Sequence, residues 1–239
     1  MDVHQFLKHF KGNFKGKHFD SDIPPSILLP NATVCEGYTK FIAKTLEERL
    51  KNGSLTLLGK DGECDPPYLV LPLTIEPSKP RLCHDERYLN LWIVDSPFSI
   101  ETLRDITRLV RRGDLMSSLD DKSGYDHILL DEDSRKYFGL QFDGFYFVFN
   151  TIPFGFKASA YIYQKTGLVA SGYYWSLGVP CLQYIDDRWI GDLLGKTGDN
   201  LDDSRYVRRE NALKSLYVVC EILTRVGYFI NIDKSKLAQ

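Results

Sequence analysis

One tetrapeptide, Tyr184-Ile185-Asp186-Asp187, constrains the fold of this chain more than any other feature. It follows the apolar run 179–183 and precedes Arg188-Trp189-Ile190, so the two aspartates lie between two strand-like segments. Adjacent carboxylates repel each other, and the repulsion grows where water is excluded. A hairpin tip that presents both carboxylates to a divalent cation resolves this conflict, and metal-assisted phosphoryl transfer uses such acids. Because Asp-Asp is also a common turn dipeptide, a solvated loop is the alternative.

A second acidic segment supplies a third carboxylate. The strand-like stretch 115–119 leads into Asp120, and Tyr125 follows five residues later, directly after Gly124, which permits a tight turn. With Asp186 and Asp187, Asp120 completes three acids at two strand ends, a set that is able to bridge two divalent ions about 3.5–4 Å apart. The alternative is that Asp120-Asp121 caps the helical turn that follows.

Composition places the chain among ordinary soluble globular proteins. The 239 residues are 43% hydrophobic and 26% charged, which suits one large domain or two small ones. No apolar stretch approaches the length of a membrane span, and the N-terminus lacks the apolar core of a signal peptide, so we expect an intracellular protein of the cytoplasm or nucleus. The net charge of −2 does not indicate nucleic-acid binding, and local lysine and arginine clusters are also explained as solvated faces.

Cysteines and histidines indicate no metal site of their own. The five cysteines are far apart in the sequence and form no Cys-x-x-Cys pair, which predicts free thiols. The five histidines show no ligand spacing, so we assign them no metal.

The periodicity of apolar residues predicts a mixture of helices and strands. Strands and helices do not alternate regularly, which favours the α+β fold class over a parallel α/β sheet. A polar, basic segment, 1–29, is expected to be a loosely attached arm because Pro24-Pro25 and Pro30 break the chain. The predicted helices cover 36–51, 97–112, 158–170 and 204–225, and the predicted strands cover 68–76, 115–119, 227–233 and a hairpin over 138–149 that turns at Asp143-Gly144.

Five motifs, in order along the chain, resemble those of the reverse transcriptases of retroelements. Residues 119–125 (Leu-Asp-x-Lys-Ser-Gly-Tyr), 152–159, 184–187 and 227–235 are similar to four successive palm motifs, and residues 79–90 are similar to the fingers signature. The order of the five is far more specific than any one of them. The forms of 77–85 and of the first palm motif look most like those of metazoan DIRS-type elements.

The resemblance implies a right-hand polymerase fold of fingers and palm, with the thumb absent. The palm is then an antiparallel sheet with helices, ferredoxin-like in arrangement. The expected divisions are the N-terminal basic arm at 1–29, fingers at 30–95 and 128–157, and palm at 96–127 and 158–239.

The same resemblance assigns catalytic and metal-binding roles. Asp120, Asp186 and Asp187 match the triad that holds two Mg²⁺ ions, with Mn²⁺ as a possible substitute. Lys234 matches a lysine that protonates the pyrophosphate leaving group, although a solvated lysine after a strand is nearly as good an explanation. Asp121 takes a position that is usually apolar and whose backbone carbonyl also reaches the metal, so either Asp120 or Asp121 is the catalytic acid; spacing to Tyr125 favours Asp120.

Nucleotide-binding roles are implied in the same way. Tyr125 matches the steric gate whose ring excludes a 2′-hydroxyl, with a core tyrosine as the alternative. Arg81 matches the fingers arginine that contacts the triphosphate, with an ordinary surface arginine as the alternative. Phe154 and Gly155 match residues against the incoming nucleotide, and Asp121 is counted with this group.

The implied function is that of an RNA-directed DNA polymerase, a nucleotidyltransferase that adds dNTPs to a primer 3′-hydroxyl on an RNA or DNA template. The alternative from another class is a catalytically inactive, nucleic-acid-binding remnant of such a polymerase. A third, an RNA-dependent RNA polymerase, is disfavoured by the bulky Tyr125 and by Tyr184-Ile185 before the paired acids.

Overall fold

A computed structural model describes residues 1–110, 114–192 and 205–237, with side chains from Arg209 onward in the helix that begins at Arg205. Within these residues, the strands are β1 (Phe10–Phe14), β2 (Lys17–Ser21), β3 (Ile27–Leu28), β4 (Leu55–Lys60), β5 (Leu69–Val70), β6 (Leu73–Glu76), β7 (Arg81–His84), β8 (Ser117–Asp120), β9 (Gly139–Phe142), β10 (Phe145–Phe149), β11 (Cys181–Tyr184) and β12 (Asp187–Ile190). The α-helices are α1 (Thr39–Lys51), α2 (Arg87–Asn90), α3 (Leu103–Ile106), α4 (Glu132–Arg135), α5 (Ser159–Ser176) and α6 (Arg205–Arg225). Of the helices described, none is long and apolar enough to cross a membrane.

The chain divides into two compact units, each built from two stretches of sequence. The first unit comprises Met1–Ser96 and Ile128–Ser159, and the second comprises Pro97–His127 and Ala160–Gln239. The five cysteines are free, as the sequence predicts.

The core of the first unit is a five-stranded sheet in the order β3-β5-β9-β10-β4. The predicted hairpin over 138–149 is confirmed as β9 and β10, and both turn residues, Asp143 and Gly144, have positive φ angles as this two-residue turn requires. The strand predicted over 68–76 is instead divided between β5, in this sheet, and β6, which pairs with β7. Pro72 lies at the division and has no N–H to donate to a ladder.

The N-terminal segment packs against the first unit and is not a loosely attached arm. Its strands β1 and β2 form an antiparallel hairpin. The Phe10 and Phe19 rings lie 4.9 and 5.3 Å from the Trp92 ring, and the Phe14 ring lies 5.5 Å from that of Tyr88. The sequence prediction was wrong because Phe10, Phe14 and Phe19 are scattered among lysines and other polar residues, and the rings that they pack against are distant in sequence.

The second unit contains a three-stranded antiparallel sheet in the order β11-β12-β8. Helix α5 contacts β11, since the Gln164 side-chain amide donates to the Gln183 carbonyl and the Trp175 indole donates to the Cys181 carbonyl. Buried side chains from α5 and α6, Tyr163, Tyr174, Val219 and Leu223 among them, contribute to the core of this unit.

Two predicted elements of the second unit are shorter in the structure. Of the helix predicted over 97–112, Leu103–Ile106 is α-helical, starting at the Thr102–Asp105 capping box; residues 111 and 112 lie outside the described residues. The strand predicted over 227–233 is reduced to one isolated bridge, Asp121 to Ile230, and a second bridge, Ser118 to Lys236, lies beyond its predicted end. Between these bridges the chain turns, because the Asn231 carbonyl accepts the N–H groups of Lys234 and Ser235.

Candidate active site

Strand pairing in the second unit brings the predicted acids to one end of the sheet. Asp187, the first residue of β12, is the Cα partner of Tyr184 on β11 and of Asp120 on β8. Ile185 and Asp186 form the turn between β11 and β12, and Ile185 has a φ of +54°. The Asp121 N–H donates to the Asp186 carbonyl at 2.8 Å, which ties the turn to the end of β8. Asp120, Asp186 and Asp187 are thus placed together by the backbone.

Two buried glutamines hold this turn in place. The Ile185 N–H donates to Gln164 Oε1 at 2.9 Å, and the Gln183 side-chain amide donates to the Ile185 carbonyl at 2.8 Å. Helix α5 leaves room for Gln183 at Gly167, where an added Cβ would lie 1.9 Å from Gln183 Oε1. Sequence reasoning missed both glutamines; the only signal was a glutamine within each of two otherwise apolar stretches.

The electrostatics of the acids favour a cation. Partial burial raises the pKa of Asp186, and repulsion from Asp120 and Asp121 adds to this shift. Burial likewise raises the pKa of Asp187, followed by repulsion from Asp186 and Asp120. Lys234 offsets part of the repulsion, with its Nζ 3.5 Å from Asp120 Oδ1. A divalent cation would relieve the remainder, and carboxylate oxygens are the ligands that Mg²⁺ prefers.

The acids do not stand in ready-made coordination positions. Across the described parts of the chain, no three His, Cys, Asp or Glu side chains are grouped closely enough to hold one metal ion. The side chains of Asp120, Asp186 and Asp187 would therefore have to rotate in order to bind one ion together. Asp186 and Asp187 are exposed, so this rotation meets little steric resistance.

The structure separates Asp120 from Asp121, which the sequence left as alternatives. The Asp121 side chain is fully buried and accepts two hydrogen bonds from Arg188, 2.9 Å from Nη2 to Oδ2 and 3.3 Å from Nε to Oδ1. The Tyr163 hydroxyl also donates to Asp121 Oδ2. The Asp121 carboxylate is thus committed to Arg188, whereas Asp120 lies opposite Asp187. A place for Asp121 among the nucleotide-binding residues, and a contact of its backbone carbonyl with the metal, stay predictions.

The partners of Asp121 have pKa values that fit this burial. Burial raises the pKa of Tyr163 and the charge of Asp121 raises it further, so the phenol stays protonated and donates. Burial alone would lower the pKa of Arg188, but the attraction of Asp121 outweighs it, and the net pKa lies above the ordinary value. Arg188 was missed from the sequence, although an arginine between Asp187 and Trp189 in a strand-like run was a signal.

Tyr125 and Lys234 lie in the same unit as the acids. Tyr125 follows β8 in a short 3₁₀ turn, and its ring packs edge-on against that of Tyr163 at 5.5 Å. Burial raises the pKa of Tyr125, and the charge of Asp186 contributes to the shift. The Lys234 side chain is 68% exposed and contacts Asp120.

The other predicted nucleotide contacts belong to the first unit. Arg81 is exposed on β7, where it is the Cα partner of Glu76. Phe154 is also exposed. Gly155 has a φ of +103°, and a Cβ there would lie 2.6 Å from the His84 carbonyl oxygen, so only glycine fits without strain. Its carbonyl accepts a hydrogen bond of 2.8 Å from the Asn90 side chain.

An antiparallel sheet with acids at a strand end and at the adjoining turn, set in an α+β chain, is consistent with the right-hand polymerase fold. Comparison with known structures supports that fold. The chain is similar to the prototype foamy virus protease-reverse transcriptase, with a TM-score of 0.67 and 18% identity over 99% of this chain and 28% of that one. It is also similar to the foamy viral protease-reverse transcriptase in complex with an RNA/DNA hybrid, with a TM-score of 0.66 and 19% identity over 90% of this chain and 26% of that one.

Sequence comparison identifies the family. The profile of the family described as "Reverse transcriptase (RNA-dependent DNA polymerase)" matches residues 76–239, and the chain belongs to this family. It is 24% identical to the enzymatic polyprotein of Figwort mosaic virus over 199 residues, 82% of this chain. It is 28% identical to the enzymatic polyprotein of Cauliflower mosaic virus over 87 residues, 36% of this chain. The matches span 27% and 13% of those two polyproteins.

Proposed function

We propose that this chain is the polymerase domain of a retroelement reverse transcriptase, which extends a primer 3′-hydroxyl with dNTPs along an RNA or DNA template. The observation that carries the proposal is the pairing of Asp187 with Asp120, with Asp186 at the adjoining turn. The foamy viral relative in complex with an RNA/DNA hybrid supports a nucleic-acid template for this chain.

Each candidate residue then has a chemical task. Two Mg²⁺ ions, when bound, activate the primer hydroxyl and neutralise charge on the triphosphate, and Mn²⁺ is able to substitute. Asp120, Asp186 and Asp187 hold these ions. Lys234, which already lies beside Asp120, donates a proton to the leaving pyrophosphate. Tyr125 excludes a 2′-hydroxyl from the site.

Nucleotide-binding roles are also proposed for three residues of the first unit. Arg81 binds the triphosphate with its planar set of donors. Phe154 and Gly155 contact the incoming nucleotide, where the absence of a side chain at Gly155 permits a close approach of backbone.

Finer assignments follow from the same proposal. We propose that the first unit carries the fingers together with the N-terminal segment, and that the second carries the palm; the divisions at Ser96, His127 and Ser159 support this assignment. The form of the motifs at 77–85 and 119–127 supports a DIRS-type element as the source, and we place the protein in the cytoplasm or nucleus.

The decisive experiment is primer extension on an RNA template by the purified full chain, with Asp186→Asn as the test variant. Loss of one acid should lower the rate by at least about 10³-fold, because electrostatic stabilisation and positioning account for most of the catalysis of phosphoryl transfer. Circular dichroism should show an unchanged fold. Glu221→Gln, which removes a partly exposed acid on α6, is the matched control and should retain full activity.

Other outcomes favour other functions. Template binding without Mg²⁺-dependent synthesis by the wild type would favour an inactive remnant. Incorporation of NTPs as readily as dNTPs would favour an RNA polymerase, and full activity of Asp186→Asn would exclude the metal site described above.

A further inference from the structure

A buried ion pair joins the two residues that directly follow two of the proposed metal ligands. Asp121 follows Asp120 at the end of β8, and Arg188 follows Asp187 on β12. Both side chains of the pair are 0% exposed. Because successive side chains of a strand point to opposite faces, Arg188 lies on the face opposite to Asp187, and Asp121 joins it there. The proposed metal ligands and the ion pair therefore occupy opposite sides of the same strand ends.

The ion pair is fully partnered. Arg188 donates from Nε and Nη2 to Asp121 and from Nη1 to Gln183 Oε1 at 3.0 Å. The Tyr163 hydroxyl donates to Asp121, and the Tyr228 ring lies 5.2 Å from the Arg188 guanidinium carbon. These contacts link β8, β11, β12 and α5 at one point. Such a network is stable only when every member has its partner, because a buried charge without one is costly.

The need to keep both buried charges paired favours one register of β12 against β8. A shift of β12 by one residue against β8 would turn Arg188 outward and Asp187 inward, since the side-chain period of a strand is two. The shift would separate the guanidinium from the Asp121 carboxylate and bury Asp187 without a partner. With an apolar pair at the same positions, the shift would still bury Asp187, but it would no longer separate a buried guanidinium from its carboxylate, so the total penalty would be smaller.

We propose that Asp121 and Arg188 form a register lock, a positioning pair that holds Asp120 and Asp187 side by side for metal binding. The proposal rests on the proposed function only in taking these acids as the metal ligands. The lock itself contacts neither metal nor nucleotide, and it acts through the strand ends that carry the ligands.

The test replaces the pair without changing net charge. The double variant Asp121→Leu/Arg188→Met removes one negative and one positive group and fills the space with apolar side chains, which often preserves stability. Mn²⁺ binding to the full chain is measured from the electron paramagnetic resonance signal of free Mn²⁺, alongside thermal unfolding. The buried Tyr163 hydroxyl and Gln183 Oε1 lose their partners in this variant, so we expect a folded protein with a lowered melting temperature. Mn²⁺ binding should be about 10- to 100-fold weaker, the range typical of lost support for metal ligands.

A destabilised variant with an intact pair is the matched control. Val219 is fully buried on α6 and belongs to neither the pair nor the acids, so Val219→Ala should lower the melting temperature and leave Mn²⁺ affinity within about twofold. A pair with a structural role alone would behave like this control, with unchanged Mn²⁺ affinity in a folded double variant, and that result would overturn the proposal. Should the double variant not fold, Asp121→Asn, which keeps the shape of the side chain, is judged by the same binding criterion.

Failure of the proposed function is distinguishable from failure of the register lock. A wild type that binds Mn²⁺ but extends no primer would contradict the polymerase assignment, while the Mn²⁺ comparison would still decide the role of the pair. A wild type that binds no Mn²⁺ would overturn both.

Discussion

At the ends of β8 and β12, the two faces of the sheet hold aspartate side chains in opposite environments. On the first, the acidic face, Asp120 and Asp187 stand side by side, and the carboxylates around them repel one another. On the second, the paired face, Asp121 is buried and neutralised by Arg188. Asp120 and Asp121 are adjacent and identical in type, yet one lies beside Asp187 among the proposed metal ligands and the other is paired with a buried arginine. The direction in which the strand turns each side chain decides which role it takes.

The two faces also differ in how their charges affect the stability of the protein. The paired face satisfies its charges within the protein, whereas the acidic face leaves a repulsion that Lys234 relieves in part and that an external cation would relieve further. Unrelieved charge of this kind is characteristic of functional sites. Substitutions on the two faces should therefore change stability in opposite directions.

The largest effect is expected on the paired face. Arg188→Met leaves Asp121 buried without a cation and should lower the free energy of unfolding by about 3–5 kcal/mol, as measured by urea denaturation. Lys214→Met on α6 breaks an exposed pair with Glu210 and should cost less than about 0.5 kcal/mol. Equal losses in the two variants would show that burial does not distinguish the pairs.

A smaller effect on stability is expected in α5, at the glycine that leaves room for Gln183, which holds the turn between β11 and β12. Gly167→Ala places a methyl group against the buried Gln183 side chain and should cost about 1–3 kcal/mol through overpacking. Displacement of Gln183 should also raise the Mg²⁺ concentration for half-maximal primer extension. In the same helix, nothing lies within 4 Å of a Cβ added at Gly172, so Gly172→Ala should stabilise by about 0.5–1 kcal/mol. Denaturation curves of both variants test whether the space at Gly167 is specific.

The smallest effect, and one of opposite sign, is expected on the acidic face. Asp186→Asn should stabilise the protein in EDTA by less than about 1 kcal/mol, because Asp186 is exposed and the repulsion is screened. Added Mg²⁺ should raise the melting temperature of the wild type but not of the variant. A destabilised variant in EDTA would mean that the acids attract rather than repel in the metal-free protein.

The same reasoning gives a pH dependence for the metal-free protein. A raised pKa means that native Asp186 and Asp187 bind more protons than in the unfolded chain, so stability is lost as pH rises above the unfolded value of about 4. Urea denaturation between pH 4 and neutrality should show a shallower loss for Asp186→Asn than for the wild type.

Local patterns were sufficient for elements that depend on neighbours in sequence. The hairpin over 138–149 and the turn after Tyr184 follow from alternation and turn residues, and the structure contains both. For elements that depend on partners distant in sequence, the predictions were wrong or the element was missed. The N-terminal hairpin needed the rings of Tyr88 and Trp92, and the helix predicted over 97–112 is confined to one turn at α3 while the Glu101 carboxylate accepts the Gln183 N–H.

By itself, the sequence determined the family, through five motifs in order, and it determined that acids would gather at two strand ends. It left Asp120 and Asp121 as alternatives, because two neighbouring aspartates have the same composition, charge and local propensity. The tertiary structure decided between them. Pairing of β8 with β12 set the face of each side chain, and burial then made a charged partner obligatory for the one that points inward, which is why Arg188 holds Asp121 and leaves Asp120 beside Asp187.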